Sequence, residues 1–451
     1  MIKKFISILL TLIMGLSFVS CKSKGNLNIY DSKGELIVTI TDMDDIENNL
    51  EDKNEKSFIE FSVSEALGII KGEFNCDSDR AEKILMENCS IYTSFDKSLY
   101  KCIAEHYNDN DIGKTPFGCV ISDINGTVLA TYSGGSKKEN FATKKANPYS
   151  AFKPLSVYAP ALEENMICWS DTYKDSPYKT ISTKESPQGV AWPQNADGKY
   201  SMNDVCISEG IKKSLNTVAV KCLADYGVMK SIGFLQNSFG FKLEDEQKKA
   251  TMSDPDEIIG NIAMGYISEG CSPVDMAGYY QIFANGGKYA ASHCITKITD
   301  SSNKEVYVYN PQTKPVIKET TAFIMNRLLQ GVVQNGGTGE KARLNGVLVG
   351  GKTGTGVTDD GNWFVGFTPE YVCSVWHGSG MPKNTSPEIF SNIMTDVIKT
   401  FPQKTADFPS ASGIKQEAFC MESGKLLKYS CKRMDIGYYV SERVPDVCDK
   451  H

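Results

Sequence analysis

The sequence predicts an α+β fold, a five-stranded antiparallel sheet flanked by helices with an all-helical insert. Two groups of strand-like sequence and the helical sequence between them carry that expectation. The first group begins at Phe117, where "FGCVISDINGTVLATYSGG" holds two β-rich runs joined through Asn125-Gly126, the strongest short hairpin signal in the chain. The second group lies at 346–353, 362–367 and 371–376, three apolar or aromatic runs bounded by turn residues. Between the groups, stretches such as "EGIKKSLNTVAVKCLADYG" and "SPVDMAGYYQIFANGG" read as helices. A sheet assembled from both ends of a domain, with the insert between, is the economical layout.

Taken in order, the chain opens with Lys3 and Lys4 ahead of an apolar run from Phe5 to Val19. That run is too short for a membrane span and suits the core of a signal peptide, so export is expected. It ends in "FVSC", which resembles the lipobox of bacterial lipoproteins; the resemblance implies lipidation of Cys21, with Phe18 standing where leucine is usual. Ordinary signal cleavage and an uncleaved anchor are the alternatives. Residues 21–90 form a small N-terminal region or spacer, with a hairpin-like "NIYDSKGELIVTI", an acidic run from Asp42 to Glu55 and a helical "SFIEFSVSEALGIIKGEF". A main domain over 91–400 and a cysteine-containing tail over 401–451 complete the expected organisation.

At 451 residues, with 41% hydrophobic and 23% charged content, the chain is long enough for two or three domains and a sizeable core. A net charge of -7 provides no basic footprint for nucleic acid. The fourteen cysteines are irregularly spaced, and many sit in apolar patterns, as Cys222 does in "NTVAVKCLADYG", so most are expected to be core thiols.

Three short motifs occur in one order: Ser150-Ala151-Phe152-Lys153, Ser214-Leu215-Asn216 and Lys352-Thr353-Gly354. The first two patterns recur elsewhere in the chain, whereas Lys-Thr-Gly occurs once. Ser150 opens an apolar helical pattern and shares a helix face with Lys153, three residues on. A serine hydroxyl is a weak nucleophile until a neutral amine takes its proton, and desolvation or nearby positive charge keeps such an amine neutral. Ser214 and Asn216 also lie on helical sequence; the serine would relay a proton and the asparagine bind an amide. Lys352 supplies a second cation, able to attract a carboxylate and to lower the pKa of Lys153.

With their flanks, "NPYSAFKPLSVYAPALEEN", "SEGIKKSLNTVAVKCLADYG" and "NGGTGEKARLNGVLVGGKTGTGVTDDGNWFVGFTPEYVCSVWHG", these motifs resemble the transpeptidase domain of class A penicillin-binding proteins, in the D,D-peptidase and serine β-lactamase superfamily. The likeness runs from about Ile91 to about residue 400. It departs at Pro148-Tyr149, where the family usually has proline-glycine and a small residue. It also departs upstream, since the roughly 70 residues between Cys21 and Ile91 cannot hold the family's glycosyltransferase domain.

The resemblance implies a peptidoglycan D,D-transpeptidase that cross-links stem peptides ending in D-Ala-D-Ala through a Ser150 acyl-enzyme and is inhibited covalently by β-lactams. Ser150, Lys153, Ser214, Asn216 and Lys352 would be catalytic, and Thr353, Gly354 and Thr355 would bind substrate. The backbone N–H groups of Ser150 and Thr355 would form the oxyanion hole, where one donor is typically worth about 3 to 4 kcal/mol. A separate glycosyltransferase is the implied partner, and a lipid anchor would hold the protein on the outer face of the bacterial cytoplasmic membrane. No cofactor is expected. A D,D-carboxypeptidase, a class D-like β-lactamase, a penicillin sensor and a degenerate relative remain as alternatives. In the tail, Cys420, Cys431, Cys448 and His451 resemble the tail of some class A members, and zinc, a disulfide with a spare thiol, and three inert thiols all stay open.

Overall fold

The structure is a computed structural model that describes residues 25–44, 46, 50, 55–108, 114–136, 138–182, 186–252, 255–356, 361–383 and 385–451. The expected leader and the lipidation candidate Cys21 lie outside the described residues.

Five antiparallel strands form the main sheet in the order Gly350–Thr355, Asn362–Phe367, Tyr371–His377, Phe117–Asp123 and Val128–Gly134. The two N-terminal strands turn at Asn125-Gly126 as expected. Asp123 Oδ1 accepts the N–H groups of Asn125 and Thr127 at 2.8 and 2.9 Å, and Gly126 takes φ 90°. That left-handed conformation costs glycine nothing and most residues something.

Strand Asn362–Phe367 is buried along its whole length because both faces of the sheet are covered. Phe364 packs on Phe390 of helix Ser386–Thr400 with ring centres 4.9 Å apart, while Phe367 faces Phe283 of helix Pro273–Ala284. Burial on both sides explains why "NWFVGF" reads as a continuous apolar run and does not alternate. Helix Pro273–Ala284 starts with a capping box, in which Ser272 Oγ accepts from the Asp275 N–H and Asp275 accepts from the Ser272 N–H.

The insert is not all helical, which corrects the expectation. Besides helices such as Ile207–Lys212, Asn216–Tyr226 and Pro255–Met264, its described residues carry three antiparallel ribbons, Thr172–Lys174 with Asp204–Cys206, Lys179–Ile181 with Val190–Trp192, and Lys288–Tyr289 with Lys314–Pro315. Strands of three residues are too short to show an alternation in sequence.

A second five-stranded sheet runs in the order Glu305–Val308, Ile295–Thr299, Ser90–Thr93, Leu27–Tyr30 and Leu36–Ile40. Leu27–Tyr30 and Leu36–Ile40 form the hairpin read from "NIYDSKGELIVTI", with Asp31 Oδ1 accepting the N–H groups of Lys33 and Glu35. The parallel pairing of Leu27–Tyr30 with Ser90–Thr93, and the antiparallel pairing of that strand with Ile295–Thr299, carry the sheet across residue 90. Glu65, on helix Lys56–Phe74, reinforces the junction by accepting the Cys294 N–H at 2.7 Å. All thirteen described cysteines are free thiols, and eleven of them are buried, in keeping with the core-thiol reading.

Candidate functional site

The three motifs converge on a cleft of about 490 Å³ lined by Ser150, Ser214, Asn216, Thr353 and Thr355. Ser150 lies in the single 3₁₀ turn Tyr149–Phe152, and the Lys153 N–H closes that turn on the Ser150 carbonyl. Pro154 follows, and with no N–H it cannot supply the α-helical bond that would come next. In a 3₁₀ turn residues i and i+3 eclipse, so Ser150 and Lys153 share a face more strictly than an α-helix would require.

Tyr149 precedes the serine at φ 49°, a left-handed conformation that strains a residue carrying Cβ by roughly 1–3 kcal/mol. Neighbouring contacts hold it there. Its N–H donates to the Gly265 carbonyl at 3.3 Å, and its ring meets Tyr266 edge-on at 5.3 Å. The position where the sequence departs from proline-glycine is therefore one where glycine would be unstrained. Tyr280, from the capped helix beneath, donates its hydroxyl to the Ala151 carbonyl and ties the turn to the core.

Lys153 and Lys352 are both fully buried, and both reach Ser214. Lys153 Nζ donates to the Ser214 carbonyl at 2.8 Å and to Asn216 Oδ1 at 2.6 Å. Burial, and then repulsion from Lys352, push its pKa well below the ordinary lysine value. A neutral amine has two hydrogens, so these two acceptors leave its lone pair available for a proton. Lys352 Nζ instead faces three acceptors, Ser214 Oγ at 2.7 Å, the Thr353 carbonyl at 3.1 Å and Thr353 Oγ1 at 3.4 Å, a set suited to an ammonium. Burial lowers its pKa to about 7.

Ser214 is not helical, which corrects the sequence reading. It sits at φ 58° in the turn between Ile207–Lys212 and Asn216–Tyr226, and only Asn216 of its motif belongs to a helix. That turn presents the carbonyl of Ser214 to one lysine and its hydroxyl to the other.

Gly350–Thr355 is an edge strand, paired with Asn362–Phe367 on one side only. One face of the strand approaches the Tyr149–Phe152 turn so closely that a Cβ on Gly354 would lie 2.4 Å from the Pro148 carbonyl oxygen. Glycine is required there because the obstacle is backbone. Thr353 is fixed by a hydroxyl pair with Thr338 at 2.7 Å, and Thr355 is half-buried at the cleft.

Three supporting residues escape sequence reasoning. The helix Asn216–Tyr226 begins after Leu215, which has no side-chain oxygen to cap it. Asn195 does that from a distant loop, its Oδ1 accepting the Asn216 N–H at 2.9 Å and that of Thr217 at 3.4 Å. Asp175 in turn holds Asn195 Nδ2 at 2.8 Å and Thr217 Oγ1 at 2.7 Å. Burial alone would raise that carboxyl, but bonds from Ser201, Thr217 and Asn195 keep it below its ordinary value. Thr338 is the third. An uncapped leucine at a helix start is the one signal that a cap must come from elsewhere.

The cysteine and histidine side chains of the tail lie outside the cleft lining. No helix among the described residues is long and apolar enough to cross a membrane.

Residues 117–395 match the family described as the penicillin binding protein transpeptidase domain. Penicillin-binding protein 1A of Clostridium acetobutylicum is 33% identical over 372 residues, covering 75% of this chain and 44% of the relative. Penicillin-binding protein 4 of Bacillus subtilis is 28% identical over 326 residues, 70% of this chain and 48% of the relative. The chain thus spans about half the length of the curated relatives it matches. In fold it is similar to the D,D-transpeptidase domain of a peptidoglycan glycosyltransferase from Eggerthella lenta, with a TM-score of 0.63 at 17% identity, covering 84% of this chain and all of that one. With the family matched over more than half of its length and the three motifs gathered in one cleft, the chain belongs to the penicillin-binding protein transpeptidase domain family.

Proposed function

We propose that the protein is a serine D,D-transpeptidase that cross-links peptidoglycan stem peptides ending in D-Ala-D-Ala. The observation that supports it most is the meeting of two buried lysines on Ser214, which shares the cleft lining with Ser150; on this reading one accepts a proton and the other holds a carboxylate. Ser150 Oγ attacks the carbonyl carbon of the D-Ala-D-Ala bond, and its proton passes to neutral Lys153 Nζ. The backbone N–H groups of Ser150 and Thr355 receive the oxyanion. As the C–N bond breaks, the proton moves through Ser214 Oγ to the departing D-alanine amine, leaving an ester on Ser150. An amine of a second stem peptide then attacks the ester, gives a proton to Lys153, and Ser150 Oγ leaves and recovers its hydrogen.

Asn216 Nδ2, which donates to the Gln194 carbonyl at 2.7 Å without substrate, would turn to the acyl amide. Lys352 and the hydroxyls of Thr353 and Thr355 bind the terminal carboxylate, and the free edge at Gly354 pairs with the substrate backbone. A β-lactam follows the first half of this path. Its ring opens, but its amine stays tethered and blocks the acceptor.

Purified protein is expected to cross-link stem peptides when pre-formed glycan or a partner glycosyltransferase is supplied, as judged by chromatography of muramidase digests. Release of D-alanine without any cross-linked product would move the assignment to a D,D-carboxypeptidase, and rapid turnover of penicillin would move it to a β-lactamase. Polymerisation of lipid-linked precursor by the pure protein would refute dependence on a separate polymerase. The same reading places the protein at the outer face of the cytoplasmic membrane through a lipid on Cys21. Cys21→Ser is expected to release it into the soluble fraction, and unchanged membrane association would point to an uncleaved anchor.

A further inference from the structure

The tail beyond residue 400 gathers a second set of reactive side chains. Strands Ile414–Cys420 and Met434–Val440 form a two-stranded hairpin, an element that is marginal in water on its own. Its apolar cover is thin: Met434, Ile436 and Val447 are 56, 44 and 59% exposed. Phe419 and Tyr439 are buried in the core, so packing holds one side of the hairpin, and its exposed side is where a further constraint would add most.

Cys420, Cys431, Cys448 and His451 each offer one ligand atom, and the four atoms lie within 4.8 Å of one another. Three separate segments are brought to this point by backbone bonds. The Cys420 N–H donates to the Lys425 carbonyl, that of Cys431 to Lys428, and that of Cys448 to Leu426, at 2.8 to 2.9 Å. Cys420 and Cys448 are buried, while Cys431 and His451 are partly covered.

Two of the sulfurs already receive donors of the kind that favour thiolate. Ser423 Oγ donates to Cys448 Sγ at 3.2 Å, and the Lys428 N–H donates to Cys431 Sγ at 3.4 Å. His451 Nε2 is buried without a hydrogen bond, although Glu422 Oε2 lies 3.4 Å away. A disulfide would use two sulfurs and leave the third thiol and the imidazole unexplained. A tetrahedral metal uses all four, with Zn–S of about 2.3 Å and Zn–N of about 2.0–2.1 Å placing the ligand atoms roughly 3.5–3.8 Å apart. Thiolates with an imidazole in that geometry select zinc among the common divalent ions.

We propose that Cys420, Cys431, Cys448 and His451 form a closed structural Zn²⁺ site that folds the tail and clamps it onto residues 169–171. On binding, the three thiols lose their protons to solvent and the histidine coordinates in its neutral form. With four protein ligands no position stays open for substrate. The clamp consists of contacts already in place: Tyr438 stacks edge-on against Trp169 at 5.2 Å, the Tyr439 hydroxyl donates to Ser170 Oγ at 3.0 Å, and Arg443 pairs with Asp171 at 3.2 Å. Gly424 fits against the Ser170 carbonyl, where a Cβ would approach to 2.2 Å. Residues 169–171 run into Thr172–Lys174 and then Asp175, which supports Asn195 and through it the Asn216 helix.

The test uses the full chain isolated without added metal, chelator or reductant. Elemental analysis is expected to find one zinc per chain, and a cobalt-exchanged sample should show thiolate-to-cobalt charge transfer with tetrahedral d–d bands. Removing zinc with a chelator should expose the three tail thiols to alkylation and open the tail to proteolysis, and zinc should reverse both. Cys431→Ser and His451→Asn should lose the metal, whereas Ser150→Ala should retain it, which keeps this outcome separate from the proposed acyl-enzyme chemistry. A disulfide between two of the tail cysteines, or immediate alkylation of all three with no zinc bound, would overturn the site even if the variants fail to fold.

Discussion

Ser150→Ala is expected to abolish covalent labelling by a fluorescent penicillin while leaving the melting temperature close to that of the parent. The alanine removes the one aliphatic hydroxyl in the Tyr149–Phe152 turn, whose Tyr149 and Ser150 both line the cleft. The turn itself rests on backbone bonds, on Tyr149 packed against Tyr266, and on the Tyr280 hydroxyl at Ala151, none of which uses the serine side chain. Gel fluorescence after denaturation reads the acyl-enzyme directly, because only a covalent adduct survives. Persistent labelling of the alanine variant would transfer the nucleophile to another residue. A folded parent protein that takes no label would instead identify a family member whose cleft has lost its reactivity.

Lys153→Ala is expected to slow acylation by about 10²- to 10⁴-fold, the usual worth of a positioned general base. The two lysines should also separate in their pH dependence. Acylation needs Lys153 neutral, so the second-order rate should fall on the acid side as pH drops through its depressed pKa. It needs Lys352 charged to hold the carboxylate, so the rate should fall on the alkaline side as pH rises through about 7. Lys352→Arg keeps the charge at every accessible pH and should remove the alkaline fall, at reduced rate because the guanidinium fork differs in shape from an ammonium. Stopped-flow acylation across pH measures both limbs for the free enzyme. Equal tolerance of the two substitutions, or an alkaline limb that survives in Lys352→Arg, would contradict this division of labour.

Much of this architecture was legible in the sequence because its signals are local. Asn125-Gly126 announces a hairpin through its own backbone preference, and the late strands are marked by aromatic and β-branched runs between turn residues. The three motifs that the structure gathers in one cleft were legible for a related reason, since Lys-Thr-Gly occurs once and follows the other two in order.

Tertiary structure alone decided the rest. Three-residue ribbons carry too few positions to display a period, so the insert was read as helix throughout. Short apolar strands give no indication of their partners, and Ser90–Thr93 finds Ile295–Thr299 some two hundred residues away. Asn195 and Asp175 matter only because the insert folds back and places them at a helix start that its own leucine cannot cap. The protonation of the lysines belongs to the same class. A lysine on a strand ordinarily points to water and stays charged, and nothing in "GGKTGT" distinguishes that fate from burial. Lys153 is held toward its neutral form because the folded chain removes it from solvent, supplies two acceptors for its hydrogens, and sets a second cation beside it. Residue types determined which chemistry was available; desolvation, which arises only when distant segments pack together, determined how far each lysine departs from its ordinary charge state.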